Sequence, residues 1–345
     1  MQSFGVSIVI CCHNSAERLP ATLLHLSRQK VSPEIPWEVL VVDNASTDQT
    51  AQVAQNCWSG VELAPLRVVS ESHLGLFSAR KRGLIESNYD IISFVDDDNW
   101  VCPEWVQIVS ELMSQHSDIG ACGGYGQAVC EISPPSWFEH CARYYALGAQ
   151  GNNPSEDITS TRGALYGAGL TVRKQAWQQL LDGQFQPLLT GRKGSALTSG
   201  DDIEFCYALR LAGWRLWYDS RLTFEHYMPI ARLKWAYVRR LSRGCGAGEL
   251  LQMPYRYALE SDQTSFKARL KRSWQWRILA IFKNLAKQPF KLLISSMSLL
   301  EGDMTVLEIE ENVGAFQEIL RSRKKYEVEI AAIHQAPWNQ QKVIS

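Results

Sequence analysis

Asp90-Ile91-Ile92-Ser93-Phe94-Val95-Asp96-Asp97-Asp98-Asn99-Trp100 is the stretch whose reading decides the fold. Its first half is a short apolar run of β-branched and aromatic residues, the composition of a buried strand. Three carboxylates follow without a break. A strand that delivers polar residues at its C-terminal end places them where open α/β sheets bind ligands. Adjacent acids repel one another unless a cation or ligand neutralises them. Asp96 and Asp98 stand two apart, so in an extended segment they point the same way and Asp97 points the other way. That arrangement suits a hard divalent cation, which takes oxygen ligands and keeps phosphate oxygens in its shell. A solvated acidic turn after a strand fits this stretch alone equally well.

Upstream, Val6-Ser7-Ile8-Val9-Ile10-Cys11-Cys12 reads as another buried strand, broken by His13-Asn14-Ser15. Asn14 or Ser15 is suited to cap the following helix, with Glu17 completing a capping box. Leu19, Leu23, Leu24 and Leu26 carry helical spacing to about Lys30. A second strand, Trp37 to Val42, ends at Asp43-Asn44-Ala45-Ser46-Thr47-Asp48, where Ser46 and Thr47 are placed to cap a helix. Leu66 to Ser70 is a third strand, and a helix runs from His73 to about Ser87 before the acidic strand. The first hundred residues thus alternate strand and helix, with polar residues collected at strand ends, which predicts a Rossmann-like α/β fold with a mostly parallel sheet.

The chain has 345 residues, 46% of them hydrophobic and 21% charged, which is ordinary for a globular enzyme. No basic leader precedes the first strand and no apolar run reaches membrane-spanning length, so the expected location is cytoplasmic. The nine cysteines form no C-x-x-C pair, and no His or Cys cluster has ligand spacing, so reduced and mostly buried thiols are expected.

Four segments together carry a family resemblance. Val-Ser-Ile-Val-Ile followed by His-Asn, then Val-Val-Asp-Asn-Ala-Ser-Thr-Asp, Ala-Arg-Lys-Arg-Gly and Phe-Val-Asp-Asp-Asp resemble, in order and spacing, a family 2 glycosyltransferase with a GT-A fold. Gly167 to Arg173 is similar to that family's acceptor-side segment. Gly200-Asp201-Asp202-Ile203-Glu204-Phe205, followed by Leu209-Arg210-Leu211-Ala212-Gly213-Trp214, resembles its acidic catalytic motif and helix. The resemblance spans roughly residues 5 to 230. One departure is Asp201-Asp202 where the family has Glu-Asp, which shortens the first side chain.

The resemblance implies inverting transfer from a nucleotide-sugar, with a UDP-sugar as the expected donor and Mn²⁺ or Mg²⁺ as cofactor. A bound divalent metal stabilises the charge of the departing diphosphate. Asp98 is the first candidate ligand, Asp96 lies nearer the ribose or a metal-bound water, and His226 completes the shell. Asn14, Asp43, Arg80, Asp96 and Asp97 are assigned to the donor side, Asp43 as an acceptor for a uracil imide or ribose hydroxyl. Asp202 is the expected general base, with Asp201 in a minor role. Each has a plainer reading: Asp43 as a helix cap, Arg80 as a solvated helix residue, Asp202 as a helix-terminal acid favoured by the dipole, and His226 as a packed histidine. The many tryptophans, among them Trp100, Trp105, Trp137, Trp177, Trp214 and Trp217, mostly fill core, with some available to stack on sugar.

Gly120 to Asn153 and Gly191 to Gly200 read as loops, the first acceptor-side, the second ordering on donor binding. Past about residue 230 the strand–helix alternation stops, so residues 1–230 are the expected catalytic domain and 231–345 a helical extension. Between Gln263 and Leu300 eight Lys or Arg residues stand without an acid among many apolar side chains. That pattern suits attachment to an anionic membrane surface as well as a helix pair packed on the catalytic domain. The expected acceptor is a glycan or polyprenyl-linked molecule of cell-surface polysaccharide synthesis, and nucleic acid is not expected. Two other functions compete. A sugar nucleotidyltransferase would need a Gly-rich, Lys-bearing loop where His13-Asn14-Ser15 stands. A silent sugar-binding module would have no use for Asp98 and Asp202.

Overall fold

The computed structural model describes residues 4–189, 199–260, 265, 270–287, 289 and 301–340. The expected loop from Gly191 to Gly200 lies, up to Thr198, outside the described residues, as does much of the basic stretch between 263 and 300. The chain folds into two compact units interleaved in sequence. The first comprises residues 1–129, 146–181 and 214–227, the second 130–145, 182–213 and 228–345.

The first unit holds a nine-stranded sheet. Strands β1 (Val6–Cys12), β2 (Trp37–Asn44), β3 (Leu66–Glu71) and β4 (Ile91–Phe94) alternate with α1 (Leu19–Leu26), α2 (Thr50–Trp58) and α3 (Leu76–Glu86). They pair in parallel in the order β3-β2-β1-β4, with Val6 opposite both Trp37 and Ile91. β1, β2 and β4 read as largely apolar runs because both faces are covered, whereas β3, at the sheet edge, is half-buried. Val6, Ile8, Ile10, Val39, Val41 and Ile91 pack against Leu19, Leu23, Ala54 and Trp58, and against Trp105 and Val109 of α4 (Trp105–Gln115). The alternate residues meet α3, where a Cβ at Gly83 would press on Val9 and Val42. On that face Phe94 meets Trp177 of α5 (Lys174–Asp182), ring centroids 5.5 Å apart.

Beyond β4 the sheet becomes antiparallel. It continues through β8 (Thr171–Arg173), β6 (Ile119–Cys130), β9 (Arg215–Met228) and β5 (Asn99–Val101), and β7 (Ser155–Asp157) pairs with β9. The irregular segment expected from Gly120 to Asn153 is corrected here: its first third is the twelve-residue strand β6. The glycines there permit close approach. A Cβ on Gly124 would run into the Leu222 carbonyl of β9, and one on Gly126 into the Ala146 carbonyl.

The second unit is helical. It contains the 3₁₀ turn Glu139–Tyr145, α6 (Asp201–Leu211), α7 (Trp235–Leu251), α8 (Met253–Leu259), α9 (Trp274–Leu285) and the 32-residue α10 (Met304–Gln335). α7 and α10 touch backbone to backbone, since a Cβ on Gly246 would strike the Glu311 carbonyl and one on Gly314 the Arg243 carbonyl. Beside this crossing, Glu310 of α10, only 4% exposed, accepts from Arg239 Nη2 at 2.6 Å and Arg243 Nε at 2.7 Å. Leu250, Ile281, Ile319 and Tyr326 form a small core with Trp274, Ile278 and Leu285 around it. All nine cysteines are free. Trp37, Trp58, Trp105, Trp137 and Trp177 are buried, as core filling requires. No helix among the described residues is long and apolar enough to cross a membrane.

Candidate active site

The carboxyl ends of β1, β2 and β4 carry the expected donor-side residues. Asn14 adopts a positive φ of 51° after β1, a conformation asparagine tolerates better than most residues. Its side-chain oxygen accepts from the Thr47 N–H at 2.8 Å, and its own N–H donates to Ser46 Oγ at 3.0 Å. The capping box expected at Asn14 and Glu17 therefore does not form. Arg18 occupies the N-cap of α1 without a side-chain cap, because Asn14 is engaged across the loops. The caps expected from Ser46 and Thr47 are likewise absent: Gln49 takes the N-cap of α2, and Asp48 accepts from the Thr50 N–H at 3.0 Å. Asp43, near the end of β2, accepts from the Ser46 N–H at 3.2 Å and tightens the same turn. These bonds fasten the two loops together, so a ligand over the strand ends meets a preformed edge.

The three acids diverge in the turn between β4 and β5. Asp97 pairs with Arg18 at 2.7 Å, while its carbonyl accepts from Thr22 Oγ1 at 2.9 Å. This ties the acidic turn to α1. Asp98 is 4% exposed, and its carbonyl accepts from the Tyr227 N–H at 2.9 Å. The register pairs Asn99 with His226, which brings His226 Nε2 to 3.5 Å from Asp98 Oδ1. Asn99, fully buried, donates from Nδ2 to Asp98 Oδ1 at 3.3 Å. Burial first, and then the neighbouring Asp98 charge, push the Asp96 carboxyl up to about 6, against the opposing pull of Arg80 and His226. Arg80, on α3, lies over the Phe94 ring at 5.6 Å from its centroid. Trp100 is stacked between His25 and Tyr227, with centroids 5.5 and 5.7 Å away.

Whether this set fits a divalent cation turns on its donors. Among the described residues no three of His, Cys, Asp and Glu converge as a self-sufficient metal centre. Asp98 and His226 nonetheless stand side by side with Asp96 close enough to feel their charge. Mg²⁺ and comparable hard cations keep waters and substrate phosphates and need only one or two protein carboxylates. The donor set therefore fits a cation that arrives with a diphosphate.

The second unit presents its own acids. Gly200, at φ 106°, opens α6, and Asp201, Asp202 and Glu204 lie in its first turn. Asp202 Oδ1 accepts from the Ile203 N–H at 2.9 Å. Glu204, which the sequence reading did not single out, is fully buried. It accepts from Tyr255 Oη at 2.6 Å and from the N–H groups of Leu188 at 2.6 Å and Leu189 at 2.9 Å. Burial raises its carboxyl to about 7 despite these donors. Gln252 Nε2 donates to the Gly200 carbonyl at 3.0 Å, so α8 and its approach hold the start of α6 from two sides.

Residues 7–167 match the family described as glycosyl transferase family 2. Glycosyltransferase AglE of Haloferax volcanii is 30% identical over 102 residues, covering 30% of this chain and 33% of that protein. The glucosyl-dolichyl phosphate glucuronosyltransferase of the same organism is 21% identical over 222 residues, covering 64% of this chain and 68% of that protein. The chain spans about a third of the length of most curated relatives it matches, such as AglE at 33%. The crystal structure of S. aureus TarS 1–349 in complex with UDP-GlcNAc aligns with a TM-score of 0.50 at 14% identity, covering 93% of this chain and 92% of that one. That likeness extends the agreement in fold to the C-terminal helices, and the GT-A architecture expected from the sequence is met. The sheet and the acidic turn agree with the match of residues 7–167 to glycosyl transferase family 2.

Proposed function

We propose that this glycosyltransferase inverts configuration as it moves a sugar from a UDP-sugar to a hydroxyl of a glycan or polyprenyl-linked acceptor in cell-surface polysaccharide synthesis. The observation that carries the reading is the buried Asp98–His226 pair, 3.5 Å apart, at the carboxyl end of the parallel strands of a family 2 domain. The names of the dolichyl-phosphate relative and of the UDP-GlcNAc complex support the acceptor and donor classes. Asp98 and His226, with Asp96, would hold Mn²⁺ or Mg²⁺, which when bound stabilises the diphosphate leaving group. The loops bearing Asn14 and Asp43 receive the base and ribose, and Arg80 adds positive charge on the phosphate side. Asp97 keeps the turn in place through Arg18.

Direct displacement needs a carboxylate that takes the acceptor proton as the bond forms. Asp202 is assigned that role and Asp201 a lesser one. Catalysis is assigned to residues 1–230 and support to 231–345. The protein is proposed to work in the cytoplasm, attached peripherally to the inner membrane face where a lipid-linked acceptor is presented. Asp202→Asn keeps size but cannot accept the proton. It should lower the transfer rate by about a hundred- to ten-thousand-fold with donor affinity unchanged. Asp98→Ala should instead abolish Mn²⁺-dependent binding of a nucleoside diphosphate in calorimetry. Near-normal transfer by Asp202→Asn, or a product with retained configuration by NMR, overturns the mechanism.

A further inference from the structure

Helix α9 carries two apolar faces, and the fold uses only one of them. Trp274, Ile278, Ile281 and Leu285 recur at helical spacing and pack into the small core of the second unit with Leu250, Ile319 and Tyr326. On the far side, Trp276 is 38% exposed and Leu279 61%, with Leu270 just before the helix also exposed, whereas Phe282, on the flank, sets its ring against Phe316 with centroids 5.3 Å apart. A helix that packs on one side only normally carries polar residues there. The charged residues it does carry are of one sign. At about 100° per residue Lys283 falls on the side of Trp276, while Lys287, past the helix end, lines a cavity with Glu249, Glu308 and Glu311. Lys271, Lys283 and Lys287 are all exposed. The remaining cations of the segment turn inward, Arg277 donating to Tyr257 Oη at 2.9 Å and Arg272 lying over the Tyr257 ring. Residues 270–287 contain no carboxylate.

This combination discriminates between occupants. A second copy seated on the same face would oppose lysine with lysine. An anionic lipid surface answers both halves of the pattern: the leucine enters the acyl boundary, the tryptophan sits at the interface, and the lysine stem reaches the headgroup phosphates. We infer that the outer face of α9, centred on Trp276, Leu279 and Lys283, is the surface by which the protein docks on a membrane rich in anionic lipid. The inference deepens the membrane attachment proposed above and rests on it, while the catalytic assignment stands or falls separately.

The test is co-sedimentation of the full chain with phosphatidylcholine vesicles, with and without phosphatidylglycerol. Wild type should partition strongly only onto the anionic vesicles. Each lysine near such a surface contributes about fivefold, so Lys283→Gln should weaken partitioning by roughly fivefold. Leu279→Gln, which removes a side chain already in water, should weaken it by about tenfold or more and leave melting unchanged. Wild-type binding that ignores phosphatidylglycerol overturns the inference. So do variants that sediment like wild type, or self-association without vesicles that Leu279→Gln abolishes. Transfer to a water-soluble acceptor, measured in parallel, should be the same in all variants. If vesicle binding fails while transfer persists, the docking face is wrong and the enzymatic reading is untouched.

Discussion

Glu204→Gln separates a buried charge from the helix it anchors. The wild-type carboxyl, fully buried, titrates near 7 rather than at its ordinary 4.5. The folded protein therefore binds more protons than the unfolded chain between these values, and stability falls as pH rises through that window. The stabilisation is fully present below about 4.5 and gone once pH passes the folded value near 7. Each pH unit between the two values is worth about 1.36 kcal/mol, so wild type should lose about 2.5 kcal/mol between pH 5 and 8 from this group alone. Glutamine does not titrate, so the variant lacks this loss. It has one acceptor oxygen for the Leu188 and Leu189 N–H groups and Tyr255 Oη, which leaves a donor unsatisfied at a cost of about 1–3 kcal/mol. The variant should be the less stable protein at pH 5 and should match or exceed wild type at pH 8. Urea midpoints and slopes for both proteins at pH 5, 6, 7 and 8 measure this. Parallel pH profiles would refute the argument, since they would mean that Glu204 stays ionised across the range.

Two further substitutions probe the packing of the helical unit. Glu310→Ala removes the common partner of Arg239 and Arg243 and should cost about 3 kcal/mol in urea denaturation, the low end for a broken buried pair because Arg243 is half exposed. Gly246→Ala forces α7 away from the Glu311 carbonyl and should destabilise by about 1–3 kcal/mol, whereas exposed Gly60→Ala serves as the strain-only control.

The parallel half of the sheet was legible because strands buried on both faces need apolar residues at every position. β1 spans the residues expected of it, and β2, β3 and α3 differ by a residue or a few at their ends. The antiparallel half was obscured. β6 contains Gly120, Gly123, Gly124 and Gly126, residues that punctuate loops in isolation but here admit a neighbouring backbone. At the candidate site the acidic run holding Asp98 is visible without a structure, whereas His226 is named only through the family resemblance, and the pairing of β5 with β9 is what sets it beside Asp98. The partners of the remaining side chains could not. Nothing local ties Asp97 to Arg18, 79 residues away, or Asn14 to Thr47, so a capping box looked adequate for Asn14. Glu204 reads as one more polar residue of an amphipathic helix until Tyr255 and the Leu188–Leu189 backbone close over it.

The interleaving of the two units has a consequence for biosynthesis. Arg143 and Tyr144 belong to the helical unit, yet the Glu311 carboxylate that both contact lies 168 and 167 residues further along the chain. At roughly 5–20 residues per second, a ribosome needs about 8–33 s to supply it. β9 is completed well within that interval, so the sheet can assemble while the 139–145 turn and α6 still lack their neighbours. The nascent chain thus passes through a stage with a finished sheet and an α6 whose α8 neighbours have not yet been made. Binding by a ribosome-associated chaperone should concentrate on that stage and end when α10 emerges.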